Sequence, residues 1–341
     1  FSHEKLRALV YEETGHARRR LLHRRAAESI VTQARLYRQT GAFAGQIAHH
    51  FRQAGEDDQA AEYFKLAGDH ARSLYANSEA LAHYQTALAL NHPASAVLHE
   101  AIGDLQTLKG DYSAALESYK CAAESTDPKS TAGLDHKRGV LHHRRGEWAL
   151  AEQYFHSAMA ALDDSEGASE QARLSADWSL TAHAAGRNEQ AEILGQRALD
   201  LARGANDERA LAQAHNILGI LASSRGDQAS AREHLEAGVT LAAQLGDPGI
   251  RVAALNNLAL NCRAAGETVR AIELTQTALD LCVALGDRHR QAALHNNLAD
   301  LLHAAGQTDA AMEHLKQAVA IFAEIGQADP MQPEIWKLVE W

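Results

Sequence analysis

A glycine returns every forty residues along this chain, at Gly146, Gly186, Gly226, Gly266 and Gly306. An alanine follows each five residues later, at Ala151, Ala191, Ala231, Ala271 and Ala311. A second small residue follows seven beyond that, at Ala158, Ala198, Gly238, Ala278 and Ala318. A fixed period of this length specifies stacked supersecondary units rather than one globular core. Such a stack works through the extended surface its units share, so the residues lining that surface are the ones to examine for function.

One period shows how the unit is built. In residues 250–286, Val252, Leu255, Leu258, Ala259 and Cys262 fall at helical spacing. Gly266 then ends the helix, because the left-handed residue past a helix end tolerates Gly best and Asn next. Ala271, Leu274, Ala278 and Leu281 mark a second helix, which Gly286 ends, and Asp287 is placed to cap the next one. The closing slot recurs at Gly246, Gly286 and Gly326, with Asn206 one period earlier. Each unit therefore reads as two antiparallel helices of about four to five turns. The recurrent alanines sit where the helices cross most closely, and a larger side chain there would cost about 1–3 kcal/mol in overpacking.

Upstream the pattern loosens. Gly110, Ala115 and Ala122 form a unit offset by 36 residues, Gly55, Ala60 and Ala67 another, and 78–90 reads as a second helix. Residues 333–341 read as a short helix with Pro333 at its first position, its Ile335, Trp336, Leu338 and Trp341 covering the last repeat. The expected division is a basic segment over 1–40, irregular helices over 41–92, six repeats of 36–40 residues over 93–326, and a capping helix over 327–341.

Composition agrees with an all-α chain: 46% of residues are hydrophobic but only 5% aromatic, and five prolines interrupt 341 residues. The net charge of −11 argues against the main body gripping nucleic acid, which needs clustered cations to displace counterions. Residues 1–40 depart from this, with nine Lys/Arg against four acids. Three cysteines with no C-x-x-C pair read as small buried hydrophobes. No apolar run reaches the ~18 residues of a membrane span, and no signal peptide is visible, which suggests a cytoplasmic protein. The chain begins at Phe1 rather than Met and reads as a piece of a longer protein.

Gly-Asp or Gly-Glu before an amphipathic helix, with small residues at fixed offsets, resembles the tetratricopeptide repeat. The segments HNILGILASSRGDQASAREHLEAGV (215–239) and LNNLALNCRAAGETVRAIELTQTALDL (255–281) carry the likeness. The usual period is about 34 residues; forty is similar to the longer repeats of kinesin light chains and bacterial peptide-sensing regulators. The resemblance implies a right-handed superhelical solenoid whose first helices line a concave groove. The segment FSHEKLRALVYEETGHARRRLLHRRAAESI resembles the winged-helix-like region that follows the nucleotide-binding core of bacterial STAND-type signalling ATPases. With no G-x-x-x-x-G-K-[ST] loop in the chain, this implies the C-terminal sensor region of such an ATPase or transcriptional regulator, with the parent's ATPase core as an intramolecular partner.

The sharpest candidate site is a row of asparagines. Asn216, Asn256 and Asn296 precede Gly226, Gly266 and Gly306 by ten residues, with Asn257 and Asn297 beside the last two. A side-chain amide offers both donors and an acceptor, so it can hold a peptide unit without reading its side chain. The resemblance implies the same role. The alternative is that these amides bond neighbouring helices and fix repeat stacking. Arg263, Asp300 and His303 lie further along the same helices and would add selectivity, or stand as solvated surface.

Twenty histidines invite a metal reading, but His49–His50 and His142–His143 are adjacent and point to different faces, and no H-E-x-x-H occurs. No metal, cofactor or catalytic residue is expected. The basic stretch His16–Arg25 is either a phosphate-meeting helix or, by preference, one that docks on the absent ATPase core. The expected function is non-catalytic capture of a peptide or protein segment. The rivals are small-molecule sensing, disfavoured for sugars by the lack of any aromatic over 207–306, and a self-association scaffold.

Overall fold

The computed structural model describes residues 11–125, 131–162 and 167–328. Among them are sixteen helices and no strand. They are α1 (His16–Leu36), α2 (Thr40–Ala54), α3 (Asp57–Ser73), α4 (Asn77–Ala89), α5 (Ser95–Lys109), α6 (Tyr112–Glu124), α7 (Ala132–Arg144) and α8 (Trp148–Ala161). There follow α9 (Ala168–Ala184), α10 (Asn188–Ala205), α11 (Glu208–Ser224), α12 (Gln228–Leu245), α13 (Pro248–Ala264), α14 (Thr268–Leu285), α15 (Arg288–Ala304) and α16 (Thr308–Ala328). The chain is an all-α solenoid of helix pairs. It divides into two compact units, the first ending at Leu105 and the second beginning at Gln106, so the division falls within α5.

In the first unit, α1 to α4 and most of α5 enclose Ile47, Phe51, Phe64, Tyr84, Leu98 and Leu105. Within the basic segment, His16–Leu36 form a helix that buries Ala27 and Ala34 against the unit and presents Leu21 and Leu22 to solvent. Arg20 Nε donates to the Ala54 carbonyl at 2.7 Å, satisfying an oxygen at the end of α2, and Arg24 pairs with Glu56 at 3.2 Å.

In the second unit each repeat glycine sits between two paired helices in the left-handed region, from Gly146 at φ +75° to Gly226 at φ +80°. The closing slots behave alike: Gly246, Gly286 and Asn206 take φ +63°, +72° and +50°. Asp207, Asp247 and Asp287 follow them, and each side chain accepts from backbone N–H groups of the next helix. Gly326 differs, because α16 runs through it to Ala328. It is followed by Gln327 rather than a capping aspartate. The expected capping helix over 333–341 lies outside the described residues.

Packing follows the small-residue positions. Ala151, Ala191, Ala231, Ala271 and Ala311 are wholly buried, as are Ala158, Ala198 and Ala278. At Gly238, which replaces the alanine of its slot, a Cβ would lie 3.3 Å from the Ala212 carbonyl oxygen, so the two helices leave little room for a side chain there. Cys262 and Cys282 are buried free thiols; burial pushes the Cys282 thiol up to about 12, which makes it inert.

Candidate functional site

The first helices of five successive repeats, α7, α9, α11, α13 and α15, face one hollow of about 610 Å³ in the second unit. The lining follows from helical spacing. Residues three or four apart share a helix face, so α9 presents Arg173, Asp177 and Leu180, and α11 presents Arg209, Gln213, Asn216, Ile217 and Ile220. Asn256 and Asn257 come from α13, His136 and Val140 from α7, and Arg290 and Leu294 from α15. The lining has apolar walls, amide groups at mid-helix and arginines toward the helix starts. It holds no Phe, Tyr or Trp among the described residues.

Of the asparagine row, the structure brings Asn216, Asn256 and Asn257 to the hollow. The amides also bond one another across repeats. Asn257 Nδ2 donates to Asn216 Oδ1 at 3.0 Å, and Asn297 Nδ2 donates to Asn256 Oδ1 at 2.7 Å. The row therefore fastens neighbouring first helices, the stacking alternative, while its members also line the hollow. Each bond uses one N–H and one oxygen, so the Asn257 oxygen and the Asn256 N–H groups remain open to a ligand. Asn296 is buried and Asn297 half-buried, and neither lines the hollow. Arg263 and Asp300 also lie off the lining, paired with each other at 3.3 Å, and His303 is exposed near the end of α15.

The sequence reading missed the charged lining, although a signal was there. Arg173, Gln213, Ala253 and Ala293 share one repeat position, and Asp177, Ile217, Asn257 and Asn297 another. Both columns lie on the asparagine-bearing face, but their chemistry changes from repeat to repeat, and a search for recurring identity passes over them.

A second feature closes the unit on itself. Arg144, at the end of α7, donates to both oxygens of Asp287, the cap of α15, at 3.4 and 3.2 Å, across 143 residues of sequence. Asp287 is 1% exposed. Burial alone would push its carboxyl up, but the adjacent Arg144 and Arg290 guanidiniums hold it down at about 2. His289 packs beside them against Tyr112 and Phe322, and burial, then Arg144, push its imidazole down to about 4. Tyr112, Tyr119, Ile321, Phe322 and Ile325 complete an apolar cluster joining α6 to α16.

Among the described residues, no three His, Cys, Asp or Glu side chains are grouped to hold a metal ion. None of their helices is long and apolar enough to cross a membrane.

Residues 251–324 match the tetratricopeptide repeat family. No curated protein matches the sequence. Among solved structures, the Rap conjugation gene regulator of the plasmid pLS20, in complex with the Phr* peptide, aligns at a TM-score of 0.64 and 14% identity over 84% of this chain and 79% of that one. A Rap protein complexed with Competence and Sporulation Factor aligns at 0.56 and 15% identity, over 78% and 77% of the two chains. A STAND protein with a tetratricopeptide repeat sensor from Pyrococcus horikoshii aligns at 0.52 and 12% identity, covering 99% of this chain and 53% of that one. At these identities the likeness is one of fold. With its glycine-punctuated helix pairs, small-residue crossings and family match, this chain contains tetratricopeptide repeats.

Proposed function

We propose that the second unit captures a peptide or protein segment in its hollow, without catalysis, and that the chain is the sensor arm of a larger STAND-type signalling protein of the cytoplasm. The observation that carries the first part is the hollow itself: five first helices converge on one concavity, and open amide groups stand among its apolar walls. Amides of this kind bond a peptide backbone whatever its side chains. Two of the similar structures are complexes with the Phr* peptide and with Competence and Sporulation Factor. The sensor-arm reading draws support from the alignment of nearly the whole chain to about half of a STAND protein. A hollow of about 610 Å³ is also sized for a small molecule, although a sugar would lack aromatic platforms there.

The test is selection of random peptides displayed on phage against the purified chain, repeated with Ala253→Trp, which places a large side chain from a half-buried lining position into the hollow. Enriched peptides are expected to lose binding to the variant by tenfold or more while its helicity is unchanged. Peptides that bind both proteins equally would place recognition elsewhere. The sensor-arm reading is checked separately, by whether the full gene product carries a phosphate-loop motif upstream of Phe1.

A further inference from the structure

One repeat departs from the period on the outer face of its second helix. Ile193 of α10 is 64% exposed. The same slot holds Gln153, Glu233, Glu273 and Glu313 in the other repeats, all polar. Further along α10, Gly204 stands where later repeats have Gln244, Ala284 and Glu324. A Cβ at Gly204 would meet nothing within 4 Å, so no neighbouring side chain fills the gap. With Leu201 and Ala168, these positions line an apolar groove of about 660 Å³. None of the residues lining the hollow comes from α10.

The charges of this face are also unmatched. Arg197 occupies a slot that holds Ser157, Ala237, Thr277 and Gln317 elsewhere. Among the described residues its side chain reaches only the Met159 sulfur, at 3.9 Å. Asp200 accepts from Gln196 Nε2 at 2.9 Å and has no cation beside it among the described residues. Arg197 and Asp200 lie one turn apart, both exposed, and do not pair with each other.

The order of these residues is self-complementary. Ile193, Gln196, Arg197, Asp200, Leu201 and Gly204 are spaced by three and four, so they share one face of α10. Consider a second α10 laid antiparallel across a two-fold axis at the level of Ala198 and Leu199. Each Ile193 then falls opposite the other copy's Gly204, a large side chain against a gap. Each Arg197 falls opposite the other copy's Asp200, where a guanidinium can meet a carboxylate. A two-fold contact demands this of a surface, since the same patch must serve both partners.

We propose that the outer face of α10 is an interface between two copies of this chain, paired antiparallel about that axis. The contact is built on one helix from each copy and falls below the ~1,200 Å² of a standard interface, so the dimer forms and parts with concentration. Because α10 does not line the hollow, the pairing goes beyond peptide capture and stands or falls independently of it.

Sedimentation equilibrium of the full chain tests this. The average mass is expected to rise with concentration from the 36.9 kDa of one chain toward twice that value. Ile193→Glu installs the residue that three other repeats carry at an exposed slot, and it should weaken pairing tenfold or more with an unchanged circular dichroism spectrum. Arg197→Asp and Asp200→Arg each set like charges opposite one another and should weaken pairing as strongly. Mixing these two variants should restore it, because each then supplies the charge the other lacks at both crossings. A single mass at every concentration overturns the proposal, as does a dimer that Ile193→Glu leaves unchanged. A dimer weakened by both charge variants but not recovered on mixing them overturns it too, because the antiparallel register requires recovery.

Discussion

Two pairs of histidines join the helices of their own repeats through their ring nitrogens. His215 and His234 approach at 3.0 Å between Nδ1 atoms, and His295 and His314 at 2.9 Å. One Nδ1 must donate and the other accept, so the bond fails once both rings are protonated. Burial lowers the pKa of all four, and the partner's charge adds to this at His215 and His295. Near the first pair, Glu233 opposes the shift and Arg203 adds to it. A group whose pKa is lowered by folding binds more protons when unfolded, so its stabilisation is complete above the unfolded value near 6.5 and is lost as pH falls through the folded one. His289, held at about 4, acts in the same direction. The urea midpoint is therefore expected to fall between pH 7 and pH 5, and the double variant His234→Gln, His314→Gln should flatten that dependence. A midpoint independent of pH would contradict this account. Neither pair was legible beforehand. The sequence draws the eye to adjacent histidines, whereas these partners stand nineteen residues apart and meet only once the register of the hairpin is known.

At the scale of the helix pair, most of the architecture could be read directly. The left-handed glycines, the asparagine substitute and the capping aspartates each have a local cause, and a local cause leaves a local mark in sequence. Where the mark was incomplete the reading went astray: Gly326 looked like a terminator by period alone, but it lacks the aspartate that follows the other closing slots, and α16 runs through it to Ala328. The same logic sets the expected effect of a substitution. At Gly226 an added Cβ meets nothing within 4 Å, so Gly226→Ala should destabilise through backbone strain alone, by about 1–2 kcal/mol. Chemical denaturation would show this as a lower midpoint at constant slope. A loss much larger than this would mean the turn is packed against something, and no loss would mean the turn can relax.

Over the whole second unit, the period gave no hint of closure. Arg144 reads as an ordinary cation in a last helical turn and Asp287 as an ordinary cap, and they occupy unrelated positions in their repeats. Their meeting depends on the curvature summed over the intervening hairpins, which no single repeat encodes. Likewise, only some of the asparagine row faces the hollow, because which amides reach inward is set by that curvature. Asp287→Asn leaves the half-buried Arg144 without its counter-charge and should cost about 3 kcal/mol. Small-angle scattering should then report a larger radius of gyration if the tie holds the curl, and an unchanged radius would assign the curl to the apolar cluster of Tyr112, Phe322 and Ile325. The bond between Arg144 and Asp287 also bears on what can enter. A guest wider than the bore must part this fastening, and it can do so only if it grips the sprung form more tightly than the shut one by more than the fastening is worth. On the reading of the hollow as a peptide site, the coil would then sort visitors by strength of hold as well as by shape, and weak ones would leave it closed.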